Sequence, residues 1–156
     1  MSKKITFNIP TESVKIPASG KNKEQSFEVR GASLPDVSKV MQEHGEAMAM
    51  LYARFSDDSM DVSDKKLAGA IATLLADMPK LCATVISLCA DSAVEPEVAL
   101  RLPLPVQAES LMQISRLTFV GEGAVGKFIA VATEMLKGVA GAMAEIKAPP
   151  DNGQTT

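Results

Sequence analysis

The feature that most constrains this chain is a change of period. Through the first thirty residues apolar side chains alternate singly. Ile5, Phe7 and Ile9 stand between Lys4, Thr6 and Asn8; Val14 and Ile16 lie around Lys15; Phe27 and Val29 flank Glu28. Alternation of period two puts one apolar face on a strand. From Ser33 onward the spacing becomes three and four, as in helices with one buried stripe. Pro10 and the stretch 17–25 mark turns or a loop between strands. Short strands of this kind need a third strand or a helix for stability, so the hairpin should rest on the helices or on a neighbouring chain. The fold class that follows is mainly α: about five or six helices preceded by a small antiparallel β-hairpin or meander. The units are an N-terminal β arm or hairpin over 1–30, a helical domain over 31–147 and a disordered tail over 148–156.

Local signals set the helix boundaries. Ser33 followed by Asp36 has the spacing of a capping box, with Pro35 in the first turn. Val37, Val40, Met41 and His44 share one face, and Gly45 is placed to supply a left-handed stop. His44 has no Ser or Cys nucleophile marked beside it and reads as a last-turn histidine that complements the helix dipole. A second helix over 46–55 carries Met48, Leu51, Tyr52 and Phe55. Asp57, Asp58, Asp61 and Asp64 invite a calcium reading but lack the loop glycine and the bidentate Glu. An acidic connector whose Ser63 caps the next helix fits better. Helices are then expected over 64–77, 79–91, 105–117 and 123–146, with a short turn at 96–101.

Leu67 to Ala90 is apolar almost throughout, yet Asp77, Pro79 and Lys80 fall in its middle. A charge at mid-bilayer costs about 2.5–3.5 kcal/mol, so two core helices meeting at the proline are expected, with Asp77 as N-cap. Cys82 and Cys89 share a helix face about 10.5 Å apart at 1.5 Å per residue, too far for a disulfide. With a single histidine in the chain, no metal set forms, and reduced buried thiols are the expectation. The chain opens without a charged-then-apolar leader, so the expectation is cytoplasmic.

Gly121 to Lys127 has the Gly-x4-Gly-Lys spacing of a phosphate loop, after a strand-like run Leu117-Thr118-Phe119-Val120 and before a helix. Such a loop aims backbone N–H groups and a lysine at phosphate oxygens. The next position should be Ser or Thr to hold magnesium and is Phe128, and no hydrophobic strand ending in Asp follows. Gly121 and Gly123 then read as breaks between two helices, with Phe128 turned into a core.

The same region carries a resemblance. Leu-Pro-Leu-Pro-Val-Gln (102–107), Arg116-Leu117-Thr118-Phe119, Glu122-Gly123 and Lys127-Phe128 resemble the C-terminal half of the phage tail assembly chaperones. These are the pre-tape measure proteins of long-tailed phages. Phe27-Glu28-Val29-Arg30-Gly31, Leu34, Asp36 and His44-Gly45 are similar to the opening of that family's helical part. The likeness spans roughly 27–136. It implies a non-enzymatic chaperone that binds the tape measure protein and keeps it soluble in the host cytoplasm until tail tube subunits replace it. Implied with it are no cofactor, no membrane, and the tail tube protein and further copies of the chain as other partners. The alternatives are a small nucleotide-binding protein using a degenerate phosphate loop at 121–127, or a structural tail component.

Net charge is −3 with pI near 5.2, which argues against a general nucleic-acid binder. Residues 1–30 hold six Lys/Arg against three Glu, a solvated arm. Eight methionines besides the first lie nearly all on expected helices; such side chains fill core gaps or furnish adaptable apolar surfaces. In the last helix Val125, Phe128, Ile129, Ala132, Leu136, Val139, Met143 and Ile146 form one stripe, and Val131 and Met135 lie off it. Apolar on more than one side, the helix offers Val125, Phe128, Val131, Met135, Val139 and Met143 as candidate partner-binding residues; the alternative is a wholly internal helix whose second face is covered by Leu67 to Ala90. Gly126, Gly138 and Gly141 each cost about 0.8–1.0 kcal/mol against Ala in a helix interior, and close approach of another backbone is the expected compensation.

Overall fold

The computed structural model describes residues 3–55, 64–91, 94–120 and, beyond these, 124, 127, 128, 130, 131, 134, 135, 137 and 138; at 51–55 and 64–66 it describes the backbone alone. Two strands, β1 (Thr11–Ile16) and β2 (Gln25–Arg30), form an antiparallel hairpin with Val14 opposite Phe27 and Glu12 opposite Val29. Five helices follow: α1 (Leu34–Phe55), α2 (Asp64–Asp77), α3 (Pro79–Cys89), α4 (Pro96–Arg101) and α5 (Leu104–Thr118). The described residues from 124 to 138 are helical as well. The molecule is mainly α with an N-terminal hairpin, as the change of period predicts.

The core follows from the stripes. Cys82, Ile86 and Cys89 on α3, Ile71 and Leu75 on α2, and Val106, Leu111 and Ile114 on α5 are buried together with Val14, Phe27 and Val29 of the hairpin. α3 packs against each of the other four helices, and α5 carries both strands. The hairpin is therefore a lid on α5 whose inner face completes the core. Hydroxyls inside it are satisfied locally: Ser110, fully buried, donates to the Val106 carbonyl at 2.7 Å.

Several boundaries differ from the sequence expectations. Residues 3–10 carry no regular structure, and Ile5, Phe7 and Ile9 are 90%, 76% and 62% exposed. Only Pro10 separates them from β1, and the shortest common hairpin loop has two residues, so the whole segment cannot pair with β1 residue for residue. The boundary expected between two helices is present inside α1 as a kink, where His44 has a non-helical φ of −132° and ψ of 37°. Gly45 is not left-handed, since Gly20 alone has positive φ among the described residues. The His44 Nε2–H donates to Thr84 Oγ1 at 2.9 Å, while that hydroxyl donates to the Lys80 carbonyl. The kink thus lets the ring reach α3.

Between α2 and α3 the N-cap is Met78, without a side-chain cap, and Pro79 occupies the first turn; Asp77 is the last residue of α2. The two axes bend by 114°, and no single helix among the described residues is long and apolar enough to cross a membrane. Residues 96–101, expected as a turn, make the short helix α4. Buried Gln107 donates through Nε2 to the Leu100 and Leu102 carbonyls at 3.0 and 2.9 Å, taking up acceptors at the end of α4 that the helix leaves unpaired. Ser63, the Asp57–Asp61 run and the tail 148–156 lie outside the described residues.

Candidate functional site

The site begins where β2 hands over to α1. A Cβ on Gly31 would sit 2.7 Å from the Leu117 carbonyl oxygen, so the backbone passes the end of α5 where only glycine fits. The Ala32 N–H then donates to Thr118 Oγ1 at 2.9 Å, and that hydroxyl donates to the Ile114 carbonyl at 2.6 Å. Buried Asp36 fixes the first turn of α1. Its carboxylate accepts from Arg30 Nη1 and Nη2 (2.5 and 3.1 Å) and from the Ser33 N–H and Oγ–H (both 2.8 Å). Arg30 also donates to the Leu88 carbonyl at 2.8 Å, tying β2, α1 and α3 into one joint. Of the expected capping box, the Asp36 half forms; the Ser33 hydroxyl turns to Asp36 instead of capping the helix. Burial raises the Asp36 pKa, but the hydrogen bonds from Arg30 and Ser33 outweigh it and hold the carboxyl below its ordinary value.

The C-terminal helical residues hang from the same end of α5. Phe119 meets Phe128 edge to face, with ring centroids 5.2 Å apart and planes at 82°. Residues 117–119 therefore hold both α1, through Gly31 and Ala32, and the helical stretch that follows, through Phe128. Between these two lies a shallow groove of about 650 Å³ lined by Leu34, Ser38, Ala130, Val131, Glu134 and Met135. Leu34 is 63% and Val131 50% exposed. The walls are apolar apart from the Ser38 hydroxyl and the Glu134 carboxylate, which reaches Lys137 at 3.5 Å. Such a surface can bury an apolar stripe.

Of the residues singled out in the sequence, Val131 and Met135 line the groove. Phe128 is half-buried against Phe119 beneath it rather than sunk in the main core. The side chains of Val125, Val139 and Met143 lie outside the described residues. Leu34 and Ser38 were not anticipated. Leu34 continues the Val37–Met41 stripe by one turn toward the start of α1, and Ser38 follows Leu34 by one turn. The expected close approach at Gly138 is absent, as a Cβ there would meet nothing within 4 Å; Gly126 and Gly141 lie outside the described residues, and the one tight glycine among the described ones is Gly31.

Leu117 and Thr118 are the last residues of helix α5, so the strand that should lead into a phosphate loop is not a strand, and Lys127 is exposed. The remaining loop residues lie largely outside the described ones. Cys82 and Cys89 are buried and free; burial pushes their thiols up to about 11 and about 12. Among the described residues no group of His, Cys, Asp and Glu is arranged to hold a metal.

No curated protein and no solved structure matches the chain. The model of one family, the pre-tape measure proteins, matches residues 4–152. That span takes in the hairpin, all five helices and both walls of the groove, and the chain belongs to the pre-tape measure protein family.

Proposed function

We propose that this chain is a non-enzymatic assembly chaperone that holds the tape measure protein soluble in the host cytoplasm while a phage tail is built. The family name ties it to the tape measure protein and so to tail assembly. The observation that carries the finer reading is the groove between the first turn of α1 and the helical residues 130–135, with Leu34 and Val131 exposed along it. A long helical client presents apolar side chains at i, i+3, i+4 and i+7, and helix-in-groove burial of such a stripe needs a surface of this kind. Met135 adds a side chain that repacks around varied apolar partners. The groove is shallow and open, which suits a client that must later leave.

The test is co-expression with the tape measure protein of the same phage. Val131→Asp and Leu34→Asp place a charge on an exposed wall, and circular dichroism checks that the helices persist. The expected result is a folded chaperone and an insoluble client. If both variants fold and the client stays soluble, the groove is not the site.

A further inference from the structure

We propose that the chain self-associates through its N-terminal arm. Residues 4–9 run on into β1 and pair antiparallel with the same segment of a second copy about a two-fold axis. Three observations carry this.

The first is an edge of β1 that no described residue covers. β1 and β2 form a two-stranded sheet. The outer side of β2 is occupied within the chain: Val29 bridges Ala90, and the Asp91 N–H donates to the Glu28 carbonyl at 2.8 Å. That bond points the Glu28 carbonyl away from β1. Backbone groups alternate sides along a strand, so those of Phe27 and Val29 face β1, and their partners Val14 and Glu12 face back. Thr11, Ser13 and Lys15 then present their N–H and C=O groups to the outer edge.

The second is Pro10. Carried along the extended arm, the alternation turns the backbone groups of Ile5, Phe7 and Ile9 to the same outer edge. Pro10, whose nitrogen bears no hydrogen, faces the other way. Proline is tolerated in a strand at just such a position. The arm does not pair with its own β1, since residues 3–10 carry no regular structure.

The third is self-complementarity. A two-fold axis perpendicular to a sheet sets residues of like parity opposite one another, as an isologous contact requires. With Asn8 on the axis, Phe7 meets the partner's Ile9, Ile5 meets the partner's Thr11, and Lys4 meets the partner's Glu12. Phe7 and Ile9, now 76% and 62% exposed, become cross-strand apolar pairs flanked on the same face by Ile5, 90% exposed, beside Thr11, and Lys4 with Glu12 forms an opposite-charge pair on the other. An exposed apolar edge is otherwise an invitation to uncontrolled association.

Sedimentation equilibrium of the full chain tests the proposal. The wild type should show a concentration-dependent dimer. Phe7→Asp should raise its dissociation constant at least about tenfold without changing the helical circular dichroism. Lys4→Glu should weaken the dimer, and adding Glu12→Lys should restore it. Under mild oxidation Asn8→Cys, on the axis, should give a disulfide-linked dimer, and Thr6→Cys, opposite the partner's Pro10, should not. A wild type that stays monomeric, a Phe7→Asp dimer of unchanged strength, or equal cross-linking at positions 6 and 8 would overturn it. So would an arm whose mutation affects only capture of the tape measure protein, since the arm would then dock a different chain.

Discussion

Replacing Asp36 by Asn removes one charge at constant shape and tests the joint that sets α1. The carboxylate takes four hydrogen bonds, two from Arg30 and two from Ser33. An amide oxygen can keep only part of that set, and its NH2 group is turned against donors. Hydrogen bonds to a charged group are worth about 1.5–3 kcal/mol each, and breaking a buried pair costs about 3–5 kcal/mol. The Arg30 side chain keeps 23% of its exposure and can recover some hydration, so the expected loss is about 2–4 kcal/mol. Urea unfolding followed by circular dichroism should show it as a midpoint about 1–2 M lower at unchanged slope.

The same substitution predicts a pH dependence. Because the folded-state pKa of Asp36 lies below its unfolded value, its contribution is complete above that unfolded value, about 3.9. It is lost as the pH falls through the folded one. Wild type and Asp36→Asn should therefore converge in stability in strong acid, draw apart as the pH rises toward about 4, and keep a constant difference above it. A difference within about 0.5 kcal/mol at neutral pH would refute the claim that this cluster holds the joint.

Gly31→Ala forces a Cβ to 2.7 Å from the Leu117 carbonyl and should cost about 1–3 kcal/mol in urea unfolding, because backbone rather than a side-chain tip must move. Phe128→Ala should cost about 1–2 kcal/mol, below the 3–5 of a fully buried Phe, since the ring is half-buried. Lys127→Ala should leave stability unchanged, and calorimetry with ATP and magnesium should detect no binding in either protein. Cys82 and Cys89, raised to about 11 and about 12 by burial, should resist alkylation near neutral pH until the protein unfolds. Gly138→Ala, with open space around it, should add up to about 1 kcal/mol and leave client solubility intact.

What was legible in the sequence is what local chemistry decides. The stripe Leu67–Ile71–Leu75 and the following proline mark α2 and the start of α3 to the residue. Val14, Phe27 and Val29 mark the inner face of the hairpin. What escaped depends on contacts between distant segments. The Ile5–Phe7–Ile9 alternation is a sound strand pattern, yet a strand needs a partner, and among the described residues none pairs with 3–10. Gly31 looks like any strand-ending glycine until Leu117 arrives beside it from 86 positions away. Arg30 carries no local hint that it will bind Asp36 and the Leu88 carbonyl at once. In the groove, Val131 and Met135 could be picked out as apolar residues off the main stripe of their helix. Leu34 belongs to a different helix start, and only the latch at the end of α5 brings it opposite them.

The most direct measurement is site-specific photo-cross-linking in cells that make both this chain and the tape measure protein. A photoactivatable residue at Val131, on the groove wall, is compared with one at Thr73, on the exposed side of α2. The account predicts an adduct with the tape measure protein from position 131 and none from position 73. Equal adducts from both, or none from position 131 while the client stays soluble, would contradict it.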